Sequence, residues 1–348
     1  MELKSEVRRG AAKDNMEYPI ALSFMISGCN KNIFVSTLVE SNKTVVKNFI
    51  LLAFADVYKF QNLLFFFFLL TYITCVMGNV AIIVLIRVEP SLHTVMYYFI
   101  SVFSVLEIML VSITVPKLLA NLISGNNIIS FNECFVQLYI FISLGATECY
   151  VLMVMVFDRY LAINNPLHYQ AIMTPMFCTE LAILPWTIGF GIILLPVIAT
   201  ACLDFCGPNG IDHFFCDLAP LQNLACSDPF ISNLSTIIAT ILVVVFPFFT
   251  ILGFYIRIIM TVSKIKSEEG KQKAFSTCSS HLIVGGLFYG TAIIVYVKPK
   301  GSHYDKYLCF MYTALTPMIN PFIYTFRNRD VKKAFKIAIN NLMKSVAL

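Results

Sequence analysis

Cys134–Tyr160 reads CFVQLYIFISLGATECYVLMVMVFDRY, a long apolar run interrupted by one carboxylate, Glu148, and closed by Asp158-Arg159-Tyr160. At about 1.5 Å of rise per residue, such a run is long enough to cross the roughly 30 Å of bilayer hydrocarbon as a helix. Backbone groups in lipid must be bonded internally, and the run lacks the apolar/polar alternation of a barrel strand, so a helix is the reading. Six further stretches of the same kind flank it, at 62–87, 96–123, 176–200, 230–262, 275–297 and 305–326. Together they predict an all-α membrane protein, a seven-transmembrane helix bundle, with a short cytoplasmic amphipathic helix after the seventh span. No internal repeat is visible. Hydrophobic residues make up 58% of the 348 residues, charged residues 13%, and mean hydropathy is +0.78, far from a soluble domain.

The charges set the orientation. Lys264, Lys266, Lys271 and Lys273 lie between the fifth and sixth runs, and Arg327, Arg329, Lys332, Lys333 and Lys336 follow the seventh, marking that side as cytoplasmic. The loop between the fourth and fifth runs carries Asp204, Asp212, Asp217 and Asp228 without a basic residue, as suits the outside. Lys298, Lys300 and Lys306 dissent. Residues 1–61 are then an extracellular N-terminal segment, 62–326 the seven-transmembrane domain and 327–348 a cytoplasmic tail, in a multi-pass plasma-membrane protein whose N-terminus is extracellular. Asn42-Lys43-Thr44 is a glycosylation sequon on the outer face, whereas Asn233-Leu234-Ser235 falls where the fifth helix begins. Residues 1–40 lack a small-residue cleavage site after their apolar patch. The net charge of +5 could suggest nucleic acid, but no Lys or Arg occurs between Arg159 and Arg257, so no continuous basic face is available.

Ionisable groups inside membrane helices are costly and tend to be functional. Helical rise puts Glu107 roughly 16 Å, Glu148 roughly 18 Å, Asn79 about 12 Å and Asn320 about 10 Å from the cytoplasmic side, one band of depth on four helices. Two carboxyls in an apolar interior require a shared proton or a cation between them. Sodium is the preferred occupant because Asn79 and Asn320 add neutral oxygens; hydrogen-bonded packing alone is the plainer alternative. Asp158 can hold the Arg159 guanidinium until a partner releases it. Pro321, within Asn320-Pro321-Phe322-Ile323-Tyr324, removes a backbone donor and bends its helix. Of eleven cysteines, Cys134, Cys206, Cys216 and Cys226 cluster near the acidic loop, where three pairings are open. No Cys-x-x-Cys spacing suggests a metal site. His281 with Ser279 or Ser280 is the nearest approach to a hydrolase pair, and no catalytic set is visible.

Asp158-Arg159-Tyr160 and Asn320-Pro321-x-x-Tyr324 resemble the switch motifs of rhodopsin-like G-protein-coupled receptors. Four ordered stretches resemble the odorant (olfactory) receptors: Leu92–Tyr97 (LHTVMY), Met155–Tyr169 (MVFDRYLAINNPLHY), Lys273–Leu282 (KAFSTCSSHL) and Pro317–Tyr324 (PMINPFIY). Val95 stands where that family usually has Pro, Val156-Phe157 where it has Ala-Tyr, Asn164 where it has Cys, and Glu107 where it has Asp. Phe288-Tyr289-Gly290 replaces the Trp and Pro of most rhodopsin-like receptors and is the odorant-receptor form.

The resemblance implies disulfides Cys134 to Cys216 and Cys206 to Cys226, in an oxidising outer compartment. It implies an odorant receptor that binds a small, mostly apolar, volatile or water-borne ligand in the outer half of the bundle and activates a heterotrimeric, stimulatory olfactory-type G protein, raising cyclic AMP. By analogy of position the pocket comprises Phe141, Ile142, Gly145 and Ala146 of the third helix, Ala239 and Val243 of the fifth, Tyr289, Ala292 and Tyr296 of the sixth, and Phe310 and Thr313 of the seventh. That set has no buried acid, which argues against an amine ligand. Arg159, Tyr255 and Tyr324 carry the switch, with Lys271 and Lys273 near the G protein. No cofactor is implied beyond sodium at Glu107 and Glu148. A proton-coupled transporter could use the same two acids, but such proteins pair repeats and break helices in both halves.

Overall fold

The computed structural model describes residues 46–52, 59–268, 271–272, 282–291, 309–327 and 331–337. Among them, five helices are long and apolar enough to cross a membrane: α1 (Gln61–Val88), α2 (Val95–Ser124), α3 (Phe131–Asn164), α4 (Pro175–Ala201) and α5 (Phe230–Ser263). Each exceeds the expected run, from one residue in α5 to seven in α3, where capping lies outside the apolar stretch. Ser130 caps α3 and Glu133 reaches back to the Ser130 amide, a reciprocal box that begins the helix before Cys134. Gly125 closes α2 at φ 66°, the left-handed conformation that favours glycine. The later runs are described only in part, as α6 (Leu282–Thr291) and α7 (Thr316–Arg327), the latter preceded by a π-helical turn at Met311–Leu315. Residues 331–337 are helical, with Val331 and Ala334 buried and Lys332, Lys333 and Lys336 exposed.

The axis of the bundle is α3. Of its most apolar stretch 72% is buried in protein, against 33% for α1 and α4 and 22% for α5, so the remaining apolar surface of those helices suits lipid. The close packing of α4 on α3 depends on Gly189, where a Cβ would lie 2.5 Å from Thr147 Oγ1 and 2.9 Å from the Ser143 carbonyl oxygen. Small residues at such crossings let backbones approach in the absence of a hydrophobic force between helices in lipid.

A small sheet, unanticipated by an all-α reading, joins three connecting segments. Strand β1 (Asn48–Leu51) lies between β2 (Ile128–Ser130), antiparallel with Phe49 opposite Ile129, and β3 (Gly210–Ile211), parallel with Ile50 opposite Gly210. Phe49 and Leu51 point inward, and Phe49 meets Phe131 and Phe205 at 5.9 and 5.4 Å between ring centroids. This sheet links the segment before α1, the α2–α3 connection and the α4–α5 loop at one end of the bundle.

Candidate functional site

At the sheet end, the cap over the helices is covalent. Cys134 at the start of α3 is bonded to Cys216, and Cys206 to Cys226. Gln137, one turn after Cys134, accepts from the Cys216 amide at 3.1 Å and donates to the Ile113 carbonyl at 3.0 Å, so α2, α3 and the loop share one side chain. Cys202 is also disulfide-bonded, which sequence reading missed.

Beneath this cap lies a cavity of about 340 Å³. Phe141, Ile142, Gly145, Ala146 and Cys149 of α3 line one side, and Ala239, Ile241, Val243 and Val244 of α5 the other. A π-helical turn at Ile241–Val245 shapes that second wall, and Tyr150 of α3 donates to the carbonyl of Leu242 within the turn at 2.8 Å. Ile193 and Pro196 of α4, Phe288 of α6 and the short helix Leu218–Leu224 complete the enclosure. Six of the positions expected for a pocket thus meet in one cavity. Tyr289 instead turns toward α3, with its hydroxyl 3.5 Å from the Cys149 carbonyl and its ring 5.5 Å from Phe248. Phe310 packs on Phe68 of α1 at 4.8 Å and near Phe214 of the loop at 6.3 Å, and Thr313 is buried in the π-helical turn before α7. Ala292, Tyr296 and Asn42 lie outside the described residues, as do Lys273, Ser279, Ser280 and His281.

One wall of the cavity is polar, and sequence reading did not single it out. The Gln222 amide nitrogen of the short loop helix donates to Ser232 Oγ at 2.8 Å and Thr236 Oγ1 at 2.9 Å; Ser232 Oγ lies 2.7 Å from Thr200 Oγ1 of α4. The available signal was the four-residue spacing of Ser232, Thr236 and Thr240, which aligns three hydroxyls on one face of α5.

Midway down the bundle, Glu107, Glu148, Asn79 and Asn320 are all buried. Asn320 donates to Glu107, and the carboxyls of Glu107 and Glu148 are in bonding contact. Glu107 Oε2 and Asn320 Oδ1 are buried acceptors with no donor among the described residues. Two carboxyls in contact require a positive charge between them, as a proton or a metal cation, and these orphaned oxygens suit either. Asn79 is turned aside, its amide nitrogen bonding the Cys75 and Pro317 carbonyls at 3.0 and 3.3 Å. That engagement ties α1 to α7, where Gly78 also brings the backbone near Pro321.

The C-terminal end of α3 holds a charged cluster. Arg159 grips Asp158 through Nε at 2.8 Å and through Nη2, and the Tyr169 hydroxyl donates to Asp158 Oδ1 at 2.5 Å. Burial, and then the bond to Asp158, push the Tyr169 phenol well above its ordinary pKa, so it remains a donor. Asn164 pairs with Thr261 of α5, and Tyr160 packs on Phe254 at 5.1 Å, so this end of α3 is tied to α5. Tyr255 and Tyr324 are buried.

Comparison with known proteins agrees with this arrangement. The family model described as olfactory receptor matches residues 68–341. Human olfactory receptor 6B1 is 45% identical over 298 residues, covering 85% of this chain and 95% of the relative. Human olfactory receptor 11H4 is 45% identical over 84% of this chain and 91% of its own length, and olfactory receptor 10A7 is 43% identical over 87% and 96%. An apolar helix bundle with a disulfide-tied cap at one end and Asp158-Arg159 at the far end of its central helix, matched along most of its length, makes this chain a member of the olfactory receptor family, rhodopsin-like G-protein-coupled receptors that are not enzymes.

Proposed function

We propose that the chain is an odorant receptor of the plasma membrane that takes a small, mostly apolar organic ligand into the cavity between α3, α4 and α5 and activates a stimulatory olfactory-type G protein. The carrying observation is a cavity of about 340 Å³, enclosed largely by apolar side chains, on the same helix that bears Asp158-Arg159. A cavity of that size lies at the lower end of small-molecule sites. Ligand binding the active arrangement better than the resting one shifts the population toward it. Arg159 then leaves Asp158 while α6 and α7 reposition around Tyr255, Asn320, Pro321 and Tyr324. Lys271, paired with Glu268 at 2.9 Å, belongs to the G-protein surface together with Lys273. The N-terminal segment, glycosylated at Asn42, is extracellular. The tail is cytoplasmic and begins with residues 331–337 as an amphipathic helix at the membrane face.

In this reading Glu107, Glu148 and Asn320 would hold a sodium ion, whose charge offsets the two carboxylates; the donorless Glu107 Oε2 and Asn320 Oδ1 support it. Asn79 holds α1 to α7 through its amide nitrogen, which leaves its side-chain oxygen to serve as the neutral ligand.

Expression in cells supplied with the olfactory-type G protein and challenged with odorant panels tests the proposal. The expected result is ligand-evoked cyclic AMP at micromolar concentrations, the affinity range for a small ligand with few polar contacts. Uptake of labelled solute without cyclic AMP would identify a transporter instead.

A further inference from the structure

The hydroxyl protons around the cavity can be assigned one by one. Thr200 Oγ1 donates to the Pro196 carbonyl at 2.7 Å, Thr236 Oγ1 to the Ser232 carbonyl at 2.8 Å and Thr240 Oγ1 to the Thr236 carbonyl at 2.8 Å. With the Thr200 proton committed, Ser232 must donate in the 2.7 Å contact with Thr200, and its remaining valence accepts. Thr236 can likewise only accept from Gln222. This fixes the Gln222 amide: both hydrogens face Ser232 and Thr236, and Oε1 faces away from them. Gln222 is 5% exposed and lines the cavity, and its Oε1 accepts no bond among the described residues. Thr240, also lining the cavity, has only acceptor valence left, and Asp217 at the rim is an acceptor whose Oδ1 already takes the Leu218 amide at 2.9 Å.

Every polar group on this wall therefore offers lone pairs. Among the described lining residues Cys149 supplies the one remaining side-chain proton, and a thiol is a weak donor. We propose that the cavity selects neutral ligands carrying a hydroxyl donor, aliphatic or terpenoid alcohols, over aldehydes, ketones, esters and ethers of the same skeleton, with Gln222 Oε1 as the principal acceptor and Thr240 Oγ1 as the second. The inference rests on the cavity being the odorant site. A carbonyl oxygen placed at Gln222 would meet lone pairs and leave a buried acceptor unpaired, whereas an alcohol satisfies it; that asymmetry is how a hydrogen-bonding site rejects an analogue lacking the donor. The cavity volume accommodates on the order of ten non-hydrogen atoms, taking the roughly 30 Å³ of a liquid water as the scale.

The test is a set of six- to ten-carbon ligands matched in skeleton, each as alcohol, aldehyde, methyl ether and primary amine, measured by cyclic AMP on the full-length receptor and on Gln222→Leu and Thr240→Val. The expected result is that alcohols act at about tenfold lower concentration than their ethers and aldehydes. Gln222→Leu should erase that ratio by weakening the alcohols alone, and Thr240→Val should narrow it. Because the wild-type ratio itself carries the proposal, a variant that fails to reach the surface does not obscure it. Aldehydes or ethers equal to alcohols would overturn the donor rule and leave the receptor reading intact. Amines tenfold better than alcohols would also overturn it, assigning Asp217 as a counter-charge. Silence of every skeleton at a receptor present on the surface would overturn both readings.

Discussion

The two ends of α3 are built on opposite principles. Its N-terminal half presents Phe141, Ile142, Gly145 and Ala146 to a cavity, and polarity there comes from neighbouring elements, mostly from neutral groups with Asp217 as the one carboxylate among the described lining residues. Its C-terminal end concentrates full charge: Asp158 is 1% exposed and holds Arg159 and Tyr169. Dispersion and neutral hydrogen bonds tolerate varied shapes, which suits the end proposed to admit ligands. A charge-assisted pair in a poorly hydrated site has two well-separated arrangements, gripped or released, which suits the end proposed to switch. Between them, Glu107 and Glu148 form a third environment, two buried carboxyls in contact with no basic partner among the described residues.

The comparison breaks most visibly at Arg159. Replacement by Ala should abolish ligand-evoked cyclic AMP while surface expression stays within a few-fold, because Asp158 keeps the Tyr169 bond. Parental signalling from Arg159→Ala would remove the switch from this end.

Next in size is the α3–α4 crossing that braces the cavity. Gly189→Ala places a methyl against Thr147 and the Ser143 carbonyl, and overpacking of this kind costs typically 1–3 kcal/mol. Thermal stability in detergent should fall clearly for Gly189→Ala and hardly at all for Gly191→Ala, where nothing lies within 4 Å of the added carbon. Equal stability of the two variants would mean the helices are not this close.

The smallest effect belongs to the buried acids. With sodium held between them, varying sodium at fixed ionic strength should shift the signalling of the parent receptor, and Glu107→Gln and Glu148→Gln should both move in one direction and lose the sodium response. A parent insensitive to sodium, with one Gln variant behaving like it, would mean that a proton rather than a metal ion is shared.

The long apolar runs were readable because twenty residues of lipid-compatible sequence leave few alternatives. Asp158, Arg159, Glu107 and Glu148 were readable because charge inside such runs is conspicuous. The outer sheet was not, since strands of two to four residues carry too short an alternation and depend on partners far along the chain. The role of Gln222 was hidden for a related reason: it sits in a seven-residue helix inside a loop that reads simply as acidic. The cavity wall from α4 was missed because positions were transferred by analogy to other helices. Phe310, expected at the ligand, packs on Phe68 of α1, and an aromatic next to a helix break serves packing as readily as binding.

The most direct test of the central claim, that ligand enters at the outer end of α3 and is read at its cytoplasmic end, is to fill the cavity from two sides. Ala146→Leu on α3 and Ala239→Leu on α5 each direct added bulk toward a space of about 340 Å³. Dose–response curves for an activating alcohol, normalised to surface expression, should move to at least tenfold higher concentration for both variants. Responses from both that match the parent receptor would contradict the claim and put the ligand elsewhere.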